Sequence, residues 1–170
     1  MNRAPTVREA GTRVDEPDFD ALFHAHARRV TRLAALLGAP DPEDVAQEAF
    51  CRLYAHRGRL HGGPDKVVAY LNRIVVNDVR SRGRRAQTAR RSAHLLPVPA
   101  TTPGEDGDRQ AVVDELARLP RRQREALVLR YWLDLPLAEV AEAMGVSTGT
   151  AKSTVSRGLA ALSRALKEEL

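Results

Sequence analysis

The 170-residue sequence predicts an all-helical chain folded as two small domains joined by a flexible linker, and three observations carry that prediction. Apolar residues recur at three- and four-residue spacing through most of the chain, and no alternating run is long enough for a strand. Asp, Ser and Pro stand at helix starts and Gly at helix ends, where unpaired backbone groups call for them. Between about Ala86 and Arg109 the periodicity lapses and Pro97, Pro99, Pro103, Gly104 and Gly107 accumulate, which is linker composition. The expected organisation is a tail over residues 1–17, a first domain over 18–85, a linker over 86–110 and a second domain over 111–170. Each domain is too small to bury a large core.

From Asp18 to Leu37, Phe19, Leu22, Phe23, Val30, Leu33 and Leu37 keep helical spacing, Arg28, Arg29 and Arg32 take other faces, and Gly38 closes the element. Asp41, Pro42, Glu43 and Asp44 make a strong helix start. The first carboxylate can cap, proline lacks only an N–H that would be unpaired there, and the acids face the positive end of the helix dipole. This second helix turns Val45, Ala46, Ala49, Phe50 and Leu53 inward, leaves Glu43, Asp44, Gln47, Glu48 and Arg52 outside, and ends near His56. Arg57 to Pro64, RGRLHGGP, reads as a basic loop. A third helix over about Asp65 to Arg82 packs through Val68, Leu71, Ile74 and Val75, with Val79 a further candidate, and leaves Lys66, Arg73, Asn77 and Arg80 for a partner. Six arginines and no acid follow between Arg80 and Arg91, a run that suits a polyanion.

In the second domain a short helix carries Val112, Val113, Leu116 and Leu119, and Pro120 opens another with Ala126, Leu127, Val128, Tyr131 and Trp132 as its apolar surface. Residues 136–166 then read as a helix-turn-helix. Leu137, Val140, Ala141 and Met144 form one apolar face, Gly145 supplies a left-handed turn, and Ser147 caps the last helix. Ala141 lets the two helices approach and Val146 plugs the corner between them. The last helix turns Ala151, Val155, Leu159, Leu162 and Leu166 inward, so Gly149, Ser153, Ser156, Arg157 and Arg164 project outward. Small hydroxyls with arginine suit a major groove, since arginine matches guanine bidentately and hydroxyls bond phosphate oxygens.

Composition agrees with a nucleic-acid partner. Net charge is +5 with a pI near 10.0, and Lys66, Lys152 and Lys167 are the only lysines among the basic residues. The single cysteine, Cys51, permits no internal disulfide and fits a reducing cytoplasm. No apolar run has the length of a membrane span and the N-terminus has no signal core, so neither membrane insertion nor export is expected. His24, His26, Cys51, His56 and His61 lack the spacing of a metal site, so no metal or cofactor is expected.

The segments DPEDVAQEAFCRLY, the basic loop and YLNRIVVNDVRSRGRR, then LARLPRRQREALVLRYW and LAEVAEAMGVSTGTAKSTVSRGLAAL, resemble the second and fourth conserved regions of bacterial RNA polymerase sigma factors. The likeness is to the extracytoplasmic-function (ECF) group, in particular an actinobacterial SigE-like subgroup, and spans about Phe19 to Arg85 and Val112 to Leu166. Departures are Tyr70 where tryptophan is frequent, Ser81 for a frequent aspartate, and Ala151, Thr154 and Gly158 where valine, arginine and alanine are common.

The resemblance implies a non-catalytic factor that joins core RNA polymerase and directs promoter-specific initiation, with promoter DNA as its second partner and, by analogy, an anti-sigma factor as a third. Region 2 would recognise and melt the minus-ten element and region 4 would read the minus-thirty-five element. Asp44, Gln47 and Glu48 match the family surface that grips the clamp helices of the largest polymerase subunit. Arg57, Arg59, His61, Lys66, Tyr70, Arg73, Asn77 and Arg80 match the melting surface. Thr148, Thr150, Lys152, Ser153, Ser156 and Arg157 match the duplex-reading surface, with Arg121 and Arg124 on phosphates. The alternative is a stand-alone helix-turn-helix regulator that binds duplex DNA without polymerase.

Overall fold

The computed structural model describes residues 18–60, 62–90 and 107–168, and these contain seven α-helices and no strand. Helices α1 (Phe19–Leu36), α2 (Pro42–Ala55) and α3 (Pro64–Arg90) form the first domain, with a 3-10 turn at Arg57–Arg59. Helices α4 (Gly107–Arg118), α5 (Arg121–Leu127), α6 (Leu137–Met144) and α7 (Thr148–Glu168) form the second, with a π-helical turn at Val128–Trp132. The N-terminal tail and most of the expected linker lie outside the described residues.

The helix starts follow the capping chemistry. Asp18 accepts the N–H groups of Asp20 and Ala21 at 3.1 and 3.2 Å, and Asp41 accepts that of Asp44 at 3.0 Å ahead of Pro42. Gly38 at φ +84° lets the chain leave α1. Val30, Leu33, Val45, Leu53, Leu71 and Val75 are fully buried where the three helices meet. Val79 is buried with them, and the buried face of α3 also takes in Val67 and Val76, while Val68 and Ile74 are only half-buried, because α3 packs against both α1 and α2. The third helix also continues past Arg82 to Arg90. Its extension carries almost no apolar residue, so periodicity could not show it, but Arg, Ala and Gln are good helix formers. Thr88 satisfies its hydroxyl on the Arg84 carbonyl at 3.1 Å.

In the second domain Gly145 adopts φ +66° between α6 and α7, and the Ser147 hydroxyl accepts the Thr150 N–H at 3.2 Å. Val140, Ala141 and Met144 of α6 bury against Ala151 and Val155 of α7, over Leu127, Val128 and Leu129. The inward stripe of α7 differs from the expected one. Leu159 is 46% exposed, and Thr154 and Gly158 are buried in its stead. Thr154 satisfies its hydroxyl on the Thr150 carbonyl at 2.7 Å. A Cβ at Gly158 would stand 3.2 Å from Leu127 Cγ and 3.3 Å from the Gln123 carbonyl oxygen. Glycine here thus lets α5 cross α7 closely, and that crossing sets which side of α7 is inside. Ser147→Ala is expected to destabilise this domain by about 1 kcal/mol through loss of the cap, read as a lower urea midpoint with an unchanged slope.

Candidate nucleic-acid interface

The capped start of α7 fixes one polar surface. Thr148, Thr150, Lys152, Ser153, Ser156 and Arg157 are all exposed there, and Lys152, Ser153, Ser156 and Arg157 lie opposite the buried Ala151, Thr154 and Val155. The Ser147 and Thr150 hydroxyls lie 2.9 Å apart, Ser153 donates to the Thr150 carbonyl at 3.0 Å, and Arg157 Nε donates to the Ser153 carbonyl at 3.2 Å. Among the described residues no carboxylate pairs with Lys152 or Arg157. Both cations are therefore available to an outside anion, and α6 stands behind α7 as the supporting helix.

The first domain presents two faces. Along α3, Lys66, Arg73 and Asn77 are exposed, and Tyr70 between them is half-buried against the core. Arg59 is exposed on the preceding turn, while Arg57 lies 4.1 Å over the Tyr54 ring and donates to the Tyr54 carbonyl at 3.1 Å. The Lys66 stem folds over Gly62, whose φ of +131° places it where glycine is favoured. His61 lies outside the described residues. These groups form a basic edge with aromatic surface beside it.

On α2, Asp44 and Gln47 are exposed and Glu48 is partly so. Both acids are tied to arginines of the same domain through a residue that the sequence reading did not single out. Asp78 is 7% exposed, and its two carboxylate oxygens accept from Arg52 at 3.3 Å and Arg82 at 2.6 Å. Arg52 also pairs with Glu48 at 3.0 Å, and Arg82 with Asp44. The chain Glu48, Arg52, Asp78, Arg82, Asp44 thus fastens α2 to α3. Hydrogen bonding to Asp44 raises the Arg82 pKa above its ordinary value, against a smaller opposing effect of burial, and Asp78 adds to the rise. The four-residue spacing of Asp78 and Arg82 was the available sequence signal. Gln47 takes no part in this network.

Arg80, Arg121 and Arg124 are placed differently from the other predicted DNA contacts, at the junction of the two domains. Arg80 Nε donates to Glu125 at 3.0 Å, and Arg121 donates to the Arg80 carbonyl at 3.0 Å. Arg124 donates to the Ala117 carbonyl at 3.0 Å, and burial, then the charge of Arg121, lowers its pKa. Beside this junction lies an apolar groove of about 610 Å³, walled by Arg32 and Leu36 of α1 and by Val113, Leu116, Trp132 and Leu162 of the second domain. The exposed Leu159 also lines it.

Two of the described histidines turn onto their own backbone. His24 and His56 place Nδ1 at 2.7 and 2.8 Å from the carbonyls of Asp20 and Arg52, on their own helices. Among the described residues no group of three or more His, Cys, Asp or Glu could hold a metal ion. No described helix is long and apolar enough to cross a membrane.

Comparison with known proteins matches both domains. The family model "Sigma-70 region 2" matches residues 22–89, and "Sigma-70, region 4" matches residues 109–162. The chain is 38% identical over 161 residues to the ECF RNA polymerase sigma factor SigM of Mycobacterium tuberculosis, covering 89% of this chain and 79% of that one. It is 35% identical to the RNA polymerase sigma-E factor of Streptomyces coelicolor, covering 89% and 80%. Among solved structures it superposes on the sigma factor RpoE of Bartonella quintana, solved in complex with the anti-sigma factor NepR, with TM-score 0.73 and 25% identity over 88% of this chain and 97% of that one. With two sigma-70 regions in order and curated ECF relatives matched along most of their length, the chain belongs to the ECF group of sigma-70 RNA polymerase sigma factors.

Proposed function

We propose that the chain carries out promoter-specific initiation through three separate surfaces, each assembled from residues described above. Core RNA polymerase is held by the α2 face of Asp44, Gln47 and Glu48, where a basic partner helix is complementary. The upstream edge of the melted minus-ten element lies along Arg57, Arg59, Lys66, Tyr70, Arg73 and Asn77, with His61 in the same loop. The minus-thirty-five duplex is read by Lys152, Ser153, Ser156 and Arg157, with Thr148 and Thr150 near the helix start. The protein catalyses nothing itself, needs no cofactor, and works in the cytoplasm where polymerase is found. The solved RpoE relative is bound by an anti-sigma factor. The apolar groove between α1 and the second domain gives an apolar helix of such a partner a place to lie.

The observation that carries this reading is the outer face of α7: two cations and several hydroxyls with no internal acid, presented by a capped helix in a helix-turn-helix. Its test is retention of the full chain by core RNA polymerase. Reversing Asp44 or Glu48 would disrupt the ties between α2 and α3, so Gln47→Arg is the cleaner probe, setting a cation against the basic partner. A fall of about tenfold in affinity is expected, equivalent to ~1.4 kcal/mol. A native chain that ignores core polymerase yet shifts duplex DNA alone would instead be a stand-alone regulator.

A further inference from the structure

Three glycines lie inside described α-helices past the first residue, and two of them are required by their neighbours. A Cβ at Gly83 of α3 would stand 2.8 Å from Arg121 Cζ, and one at Gly158 of α7 would stand 3.2 Å from Leu127 Cγ. Outside the helices, Gly38, Gly62 and Gly145 are required by their positive φ, and at Gly38 the Arg124 guanidinium also fills the space of a Cβ. Gly149, in the first turn of α7, has neither requirement. Its φ is not positive, and the nearest atom to a Cβ there would be Ser147 Oγ at 4.0 Å. Alanine would fit and would make the better helix, so the fold itself gains nothing from glycine at this position.

The place of Gly149 on the helix says what the missing side chain leaves room for. At about 3.6 residues per turn, it points away from the middle of the buried side made by Ala151, Thr154, Val155 and Gly158. It is therefore at the centre of the exposed face, with Lys152, Ser153 and Ser156 around it. A missing Cβ in that setting is a notch the size of a methyl group with polar side chains at its rim. In a major groove those side chains suit the hydrogen-bonding edges of the bases, and the thymine C5-methyl is the apolar group that projects there.

We propose that Gly149 is a specificity-determining residue: its notch takes the C5-methyl of one thymine in the promoter duplex, while Lys152, Ser153 and Ser156 engage the neighbouring base edges and phosphates. The proposal rests on the reading of α7 as the duplex-reading helix and adds a base that it selects. Without a Cβ, the helix backbone comes close enough for the methyl group to meet Cα at about 3.5 to 4.0 Å. With alanine, the added methyl occupies that place and holds the helix off, so the contacts of the rim side chains lengthen as well.

The test uses holoenzyme formed with the full chain, first to select preferred duplexes from a randomised pool. The selected duplex is then bound with uracil in place of each thymine in turn, which removes only the C5-methyl group. One replacement upstream of the melted segment is expected to weaken native binding about fourfold, the worth of one buried methyl. The same replacement should have no effect on Gly149→Ala, so the pair of changes is coupled at that position. Gly149→Ala itself should bind the selected duplex about tenfold more weakly, with a urea midpoint equal to or above the native one. Lost binding with kept stability separates a contact on DNA from a folding defect. Uracil effects that are the same in both chains at every position overturn the proposal, as does native affinity in Gly149→Ala. Equal weakening of all duplexes overturns it too, since that outcome puts a phosphate and not a base at the notch. A native holoenzyme that selects no sequence upstream of the melted segment would overturn the reading of α7 itself, and the notch with it.

Discussion

Asp78→Ala is expected to destabilise the first domain by about 2 to 3 kcal/mol, well above the yield of an ordinary surface ion pair. The carboxylate is buried, both its oxygens are used, and both its partners are charged. Removing one member of a fully buried pair costs about 3 to 5 kcal/mol because the other charge stays dry. Here the Arg52 side chain is 47% exposed and that of Arg82 30%, so water recovers part of the loss and the lower figure applies. Asp78→Asn keeps the shape but sets an NH2 donor against one of the two arginine donors, so it keeps at most one of the two bonds and should lose nearly as much as Asp78→Ala. Urea denaturation followed by circular dichroism decides it, and a loss under about 0.5 kcal/mol would reduce the network to exposed, salt-screened pairs. The functional consequence follows from the same contacts. Freed from Asp78, Arg52 and Arg82 no longer hold Glu48 and Asp44 in place, so polymerase retention should weaken as well, though less than in Gln47→Arg.

How far the sequence speaks depends on whether a feature is local. Asp18, Asp41 and Ser147 cap helices because a side-chain oxygen meets an N–H two or three residues on, a relation contained in the sequence itself. The Gly145 turn and the α6 face of Val140, Ala141 and Met144 are legible for the same reason. The α3 extension to Arg90 was not, because it buries almost nothing and so leaves no apolar period. Leu159 was misplaced because extending a stripe along α7 assumes that its cover continues in register, whereas the α5 crossing brings Thr154 and Gly158 inside. The polar face of α7 was readable as the complement of its apolar side. The seating of Arg121 and Arg124 was not, since each seat is formed by a glycine from the other domain. Gly83 in mid-helix and Gly38 at a helix end look like weak spots until their neighbours are known.

Arg157→Ala should weaken promoter binding by about 1 to 3 kcal/mol if the guanidinium reads a base, roughly a fivefold to 150-fold rise in Kd. The side chain is exposed, and its one hydrogen bond, to the Ser153 carbonyl at 3.2 Å, stays on its own helix. Engaging DNA therefore breaks no ion pair, and little of the guanine contact energy is lost to reorganisation within the protein. Lys152→Ala separates base reading from phosphate holding. A phosphate contact should weaken all duplexes alike and lower the salt dependence by about one counterion, whereas a base contact should lose mainly the preference for the promoter. The core of α7 lies elsewhere, at Ala151, Thr154 and Val155, so both variants should keep their urea midpoints. Binding of holoenzyme to promoter and to mixed-sequence duplex, each over a range of salt, gives the readout. An Arg157→Ala footprint and transcript level equal to the native ones would remove Arg157 from the reading surface and move recognition toward Lys152, Ser153 and Ser156.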